Sequence, residues 1–300
     1  MSAPAAAQAE LTPTGKLRVG INFGNELLTV PSTMNDPEPR GVALDLAREL
    51  ARRLGVAVEF HRYPSAGATA DSVRTGVWDV AFLGAEPQRA NEMTFTAPYL
   101  EIEATYLVPP GSPLKAVADV DRAGHRIAIT AKSAYDLYLS RTLKQATLVR
   151  EQNADAAFEL FVRDKLDALA SLKPRLVADA HKLPGSRILD GRFTAVQQAV
   201  CTPKGRDAAA QFLREFVEDV KASGLVAKAI EKNNVRGVSV APAAPTHRGP
   251  ALDSLRRGFP GGNPAHPAVL IVRNRLLDLG TRVHDERPVA RDRLFDWLPT

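Results

Sequence analysis

The stretch Val77 to Tyr99, VWDVAFLGAEPQRANEMTFTAPY, holds the residues of this sequence best arranged for chemistry. Val80 to Leu83 is a short apolar run of strand character, and Gly84 ends it. Glu86-Pro87 follows as a helix start, because proline in a first turn forfeits an N–H that has no partner there anyway. Arg89 then falls in or beside that first turn. The helix dipole disfavours a cation at this point by a few tenths of a kcal/mol, up to about 1 kcal/mol. A guanidinium beside free backbone N–H groups becomes favourable when an anion sits between them. The alternative is an arginine directed into solvent. A second strand-to-helix turn, Thr130-Ala131-Lys132-Ser133, offers further N–H groups and a hydroxyl. Facing each other from two lobes, the turns would converge on one anionic group. That constellation suits binding, since no general base stands beside it.

Other chemistries lack their residues. There is no G-x-S-x-G elbow, H-E-x-x-H, phosphate-binding loop or strand-borne G-x-G-x-x-G. The six histidines lack metal-ligand spacing, and the single Cys201 excludes an intrachain disulfide and a multi-cysteine zinc site. Neither metal nor cofactor is expected. The net charge is +5, of which Thr246 to Thr300 carries +3 through nine arginines and six acids. The remaining body is nearly neutral and shows no basic patch with interleaved aromatics, so nucleic acid is not an expected partner. No apolar run reaches the roughly 18 residues that span a membrane.

The positioning elements follow from periodicity. Leu17, Val19 and Ile21 alternate as a first strand, and Phe23 follows directly, either as a stacking residue or as a plug over the core. Val42, Leu46, Leu50 and Leu54 recur at a spacing of four and mark a helix ended by Gly55. Val56 to Phe60 and Trp78 to Leu83 are further strands around a weak helix from Ala66 to Gly76. This rhythm predicts a parallel sheet with helices on both faces. Met93 to Val108 is extended. The breaker cluster Pro109-Pro110-Gly111-Ser112-Pro113 marks a boundary, after which a second α/β series runs to Cys201. Asp207 to Ala222 and Leu225 to Glu231 are helices.

Several of these segments resemble the extracytoplasmic solute-binding proteins of polar amino-acid ABC transporters, solute-binding protein family 3. They are GVALDLARELARRLGVAVEF, VRTGVWDVAFLGAEPQRANEMTFTAPY, AITAKSAYDLYL, KLDALASL and TAVQQAVCTPKGRDAAAQFLREFVEDVKASG, and the likeness extends from Lys16 to Val235. The resemblance implies an α/β, two-lobed periplasmic-binding fold of type II that hinges shut on a ligand in its cleft. Arg89 matches the arginine that clamps the ligand carboxylate. Gly84 stands in the same turn, Ser133 at the second lobe's helix start, and Phe23 at the aromatic position that stacks on the ligand. Two departures affect the ligand. Amino-acid binders of the family carry an ammonium-binding aspartate five residues after the aspartate matched here by Asp167, and this chain has Leu172. The second stacking aromatic falls near Ala66. Lys132 and Lys173 would add positive charge near the cleft.

The expected domains are a disordered leader over 1–15, one discontinuous lobe over 16–108 and 200–237, a second over 109–199, and an appended Pro/Arg-rich tail over 238–300. The expected function is capture of a small anionic or zwitterionic carboxylate-bearing solute for an ABC transporter permease, by a monomer, without catalysis. The alternatives are a cyclohexadienyl-dehydratase-like enzyme, with Glu26 or Glu86 as its acid, and a ligand-sensing domain. The resemblance implies the periplasm. MSAPAAAQAELTPTGK is not an intact signal peptide, although Ala7-Gln8-Ala9 has the form of the end of one.

Overall fold

The computed structural model describes residues 3–29 and 39–245. The expectations for the tail beyond residue 245, and for residues 30–38 of the loop after the first strand, fall outside them. Strand β1 (Lys16–Asn22) pairs in parallel with β2 (Ala57–Tyr63) and with β3 (Val80–Gly84). Between β1 and β2 runs α2 (Val42–Leu54), whose face of Val42, Leu46, Leu50 and Leu54 is buried. Asp45 in its first turn and Arg52 and Arg53 in its last complement the dipole. Gly55 closes it at φ 67°, a left-handed conformation that glycine adopts without a Cβ penalty. Helix α3 (Ala66–Asp71), capped by Ser65, and one 3₁₀ turn lead into β3.

Two long strands carry the chain away and back. β4 (Met93–Val108) and β9 (Thr194–Pro203) pair antiparallel from Met93 opposite Pro203 to Ala104 opposite Thr194. Between them lie β5 (Arg126–Thr130), α4 (Ala134–Thr142), β6 (Thr147–Glu151), α5 (Ala154–Arg163), β7 (Ala168–Leu172), α6 (Lys173–Lys182) and the short β8 (Arg187–Ile188). The resulting order is β2-β1-β3-β9-β4-β7-β5-β6. The expected parallel pairing holds in the outer trios. It fails in the middle, where β3 with β9, β9 with β4, and β4 with β7 all run antiparallel. An outgoing strand and its return necessarily oppose each other.

The two largest of the four buried apolar clusters among the described residues divide along these strands. Tyr99, Leu100 and Ile102 of β4 and Val200 of β9 belong to the core around β1 and α2. Ala104, Tyr106 and Val108 of β4 and Val196 of β9 belong to the core around β5 and β7. The protein is therefore two-lobed, and the change of core falls inside β4, ahead of the proline cluster. Helices α7 (Asp207–Ala222) and α8 (Leu225–Lys232) return to the first lobe.

Two expectations about the ends are corrected. The leader is not disordered: Ala5–Leu11 forms α1, with Ala7 and Leu11 fully buried. Alanine is the strongest helix former, and the four-residue spacing of Ala7 and Leu11 gives the helix one apolar face to dock. Gln8 donates to the Leu54 carbonyl (2.9 Å), and the Glu10 carboxylate accepts from the Ala209 N–H (2.7 Å) at the start of α7. Ala7-Gln8-Ala9 thus sits within a packed helix. At the other end, Val238–Val240 is not tail but strand β10, antiparallel to Leu100–Ile102 of β4. Its Val-Ser-Val alternation is too short to register as a strand by pattern alone.

Candidate functional site

A cavity of about 340 Å³ lies between the lobes. Asn22, Ser65, Phe82, Gly84 and Arg89 line it from the first lobe, Thr130, Ser133, Tyr135 and Leu172 from the second, and Val196 and Gln198 from β9. The ends of several strands meet there, as is usual where α/β sheets bind ligands.

Arg89 is 5% exposed. The α-helix expected from Glu86-Pro87 does not form; Arg89–Asn91 is a single 3₁₀ turn. Ala85 to Glu92, between β3 and β4, thus supplies no α-helix whose dipole could act on the guanidinium. Its Nη1 donates to the Gly84 carbonyl (2.7 Å) and its Nη2 to the Lys132 carbonyl (2.9 Å) of the other lobe. Its Nε is buried without a partner, and no described carboxylate forms an ion pair with it. Burial pushes its pKa down to about 10, so it remains charged at neutral pH. An uncompensated buried charge is disfavoured by several kcal/mol, of order 3–5 kcal/mol when a partner has been removed. An anion entering the cavity would relieve that cost.

Ser133 caps α4: its Oγ accepts from the Asp136 N–H (3.0 Å) and it is 7% exposed. The next two N–H groups, of Ala134 and Tyr135, have no intrahelical partner by helix geometry, and both residues line the cavity. Asp136 fixes the turn by accepting from the Lys132 N–H (2.7 Å) and pairing with Arg150. Arg89 and the start of α4 thus face one space from opposite lobes.

The remaining expected site residues divide. Gly84 is buried at the end of β3, so close to the second lobe that a Cβ would lie 2.8 Å from that of Ala134. Leu172, the last residue of β7 and the N-cap position of α6, lines the cavity and packs against both cores. Lys132 does not line the cavity. It is exposed, in the left-handed conformation at φ 55°, and its Nζ reaches Asp71 of the first lobe at 2.5 Å. Lys173 instead pairs with Glu103.

Phe23 is the principal correction. It is 3% exposed, belongs to the first lobe's core and does not line the cavity. Its N–H continues the ladder to the Tyr63 carbonyl (2.8 Å). Strand parity therefore continues past Asn22 and sets Phe23 on the face of Leu17, Val19 and Ile21. The Arg62 guanidinium covers its ring at 5.2 Å.

Of the two acids considered for catalysis, Glu86 is paired with Arg141 of α4, and Glu26 lines the cavity but is exposed. Arg175 also lines the cavity, with its charge taken up by Asp179 (2.9 Å) and Asp155 (2.5 Å). Sequence reasoning missed Gln198, which is 6% exposed on the cavity floor. Its signal was a glutamine in the alternating run of Val196 and Val200.

The sequence matches the model of the bacterial extracellular solute-binding proteins, family 3, over residues 21–235. No curated protein matches the chain. Solved structures share the fold. One is a solute receptor for L-cysteine of Neisseria gonorrhoeae, at 20% identity and TM-score 0.65, covering 77% of this chain and 95% of that one. Another is the ancestral amino acid-binding protein AncCDT-1, a precursor of cyclohexadienyl dehydratase, at 22% identity and TM-score 0.63, covering 76% and 99%. A third is an amino acid ABC transporter substrate-binding protein from Streptococcus pneumoniae bound to L-arginine, at 20% identity and TM-score 0.62, covering 74% and 96%. At these identities the likeness is one of fold.

Proposed function

The chain belongs to the bacterial extracellular solute-binding proteins, family 3, and from that premise we propose that it captures a small carboxylate-bearing solute between its lobes and presents it to an ABC transporter. The observation that carries the reading is Arg89: buried, charged, lining the cavity, with an orphan Nε and no acid partner among the described residues. A carboxylate set between Arg89 and the start of α4 is hydrogen-bonded from both lobes. It binds the closed arrangement better than an open one, and that difference in affinity drives closure. The two crossing strands are the natural hinge. Closure itself is then the signal to the permease, with no bond made or broken. The Arg141 pairing of Glu86 and the exposure of Glu26 fit binding without turnover. A monomer suffices, because both halves of the clamp lie in one chain. The family's extracytoplasmic setting points to the periplasm, and no described helix is long and apolar enough to cross a membrane.

The test is calorimetry of Arg89→Met against amino acids, 2-oxo acids and dicarboxylates. Affinity for the carboxylate ligand should fall at least about 100-fold, as loss of a buried charge-assisted pair implies. The circular dichroism of the free protein should be unchanged. Unaltered affinity would mean that Arg89 is not the clamp.

A further inference from the structure

We propose that Gln198 is the second recognition group of the cavity, and that it selects a monocarboxylate bearing a hydroxyl or oxo group beside the carboxylate, not an ammonium. The inference rests on the reading of Arg89 as the carboxylate clamp.

Gln198 lies on β9 in register opposite Gly84, whose carbonyl holds Nη1 of Arg89. The clamp and the glutamine are therefore neighbours across one strand pair. The side chain is more than nine-tenths buried, lines the cavity and makes no hydrogen bond to any described residue. Its amide atoms are not sealed off but reach the open cavity, so an occupant that displaces water from them must offer the amide a partner in its place. The group closest to a carboxylate held by Arg89 is the one attached to the adjoining carbon.

Charge identifies that group. A desolvated ammonium needs a carboxylate or an equivalent set of acceptors. Among the described residues lining the cavity, the acid is Glu26, which is exposed. The cations are Arg175, compensated by Asp155 and Asp179, and Arg89, which has no such partner. The buried surface thus carries one uncompensated positive charge, the complement of a ligand with net charge of minus one. A zwitterion would bring its ammonium to a neutral amide. Gln198 offers what a hydroxyl or oxo group uses: Oε1 accepts from a hydroxyl, and Nε2 donates to an oxo oxygen.

The experiment is calorimetry of the full chain with two matched triples: leucine with its 2-oxo and 2-hydroxy acids, and alanine with pyruvate and lactate. In at least one triple the oxo or hydroxy acid should bind about tenfold tighter than the amino acid. Gln198→Leu should weaken that acid about tenfold, the worth of one buried neutral hydrogen bond. Gln198→Glu, which puts a carboxylate in the same place, should reverse the order. The inference is overturned if the amino acid is tightest in every triple, if no oxo or hydroxy acid binds, or if Gln198→Leu changes nothing. The wild-type triples decide the matter should a variant fail to fold. Arg89→Met separates the two readings. Carboxylate binding that survives in that variant sinks the clamp, whereas binding lost there but indifferent to Gln198→Leu sinks only this inference.

Discussion

Gly84→Ala should act as a wedge between the lobes. The glycine occupies the end of β3 without a positive φ, so the backbone itself accepts alanine. The added Cβ would lie 2.8 Å from the Ala134 Cβ and 3.0 Å from a Val196 methyl. Two carbons rest at about 3.5–4.0 Å, so roughly 1 Å of separation must be found. Val196 can yield by rotating its side chain. Ala134 cannot, because its Cβ is fixed to the first turn of α4, which Ser133 caps and Asp136 ties to Arg150. The strain therefore falls across the cleft and is relieved by parting the lobes. Overpacking of this kind costs about 1–3 kcal/mol, which is about a 5- to 150-fold loss of ligand affinity. The unfolding midpoint of the ligand-free protein should scarcely move, since the parted arrangement escapes the clash. Calorimetry with the tightest ligand gives the affinity, and small-angle scattering shows whether ligand still compacts the chain. Ala134→Gly removes the opposing methyl and should cost under about 1 kcal/mol alone. In the double variant it should recover about tenfold of the lost affinity, the coupling expected of residues in contact. Undiminished affinity in Gly84→Ala, or a loss that Ala134→Gly leaves in place, would refute the reasoning.

Two further predictions concern stability. Leu11→Ala hollows the contact between α1 and the body and should lower the unfolding free energy by about 2–5 kcal/mol in urea; an unchanged midpoint would mean that α1 docks without stabilising. Glu49 is held by Arg52 and Arg53, which bring its pKa down to about 2 from 4.5. The unfolded chain takes up the proton first, so this stabilisation is complete above about pH 4.5 and disappears as pH falls towards 2. Glu49→Gln should flatten the acid limb of stability, and equal limbs in both proteins would show that the carboxylate contributes nothing.

Much of the fold was legible because its periodicities are local. The four-residue spacing of α2 and the punctuation by Gly55 gave a helix whose observed bounds are Val42–Leu54. Ser133 was readable as an N-cap because serine is a favoured capping residue and stands directly before the helical run. What escaped depended on distant partners. The antiparallel centre of the sheet arises from pairing between β4 and β9, which no local pattern encodes. Phe23 looked like a loop residue because the next stretch is polar, yet a single hydrogen bond to Tyr63 keeps it in strand parity. Arg89 was singled out through a helix that does not form. What distinguishes it in the structure is burial against two carbonyls, one of them supplied from the far lobe. Gln198 went unnoticed because a single amide in an apolar strand acquires meaning only when the opposite wall of the cavity is known.

The out-and-back path of β4 and β9 also orders the chain's assembly. One edge of β3, the apolar run Val80 to Leu83, is covered by β9, and Cys201 reaches the Ala81 carbonyl from 120 residues further on. Until β9 has been synthesised that edge is bare, and bare apolar edges recruit other chains. The second lobe closes on itself from residues made in between, so it can fold first and present the return strand already directed at β3. Contacts this far apart in sequence are slow to form. The first helix waits longest of all: Arg206, which binds the Glu10 carbonyl, lies 196 residues downstream, so α1 emerges first and docks among the last.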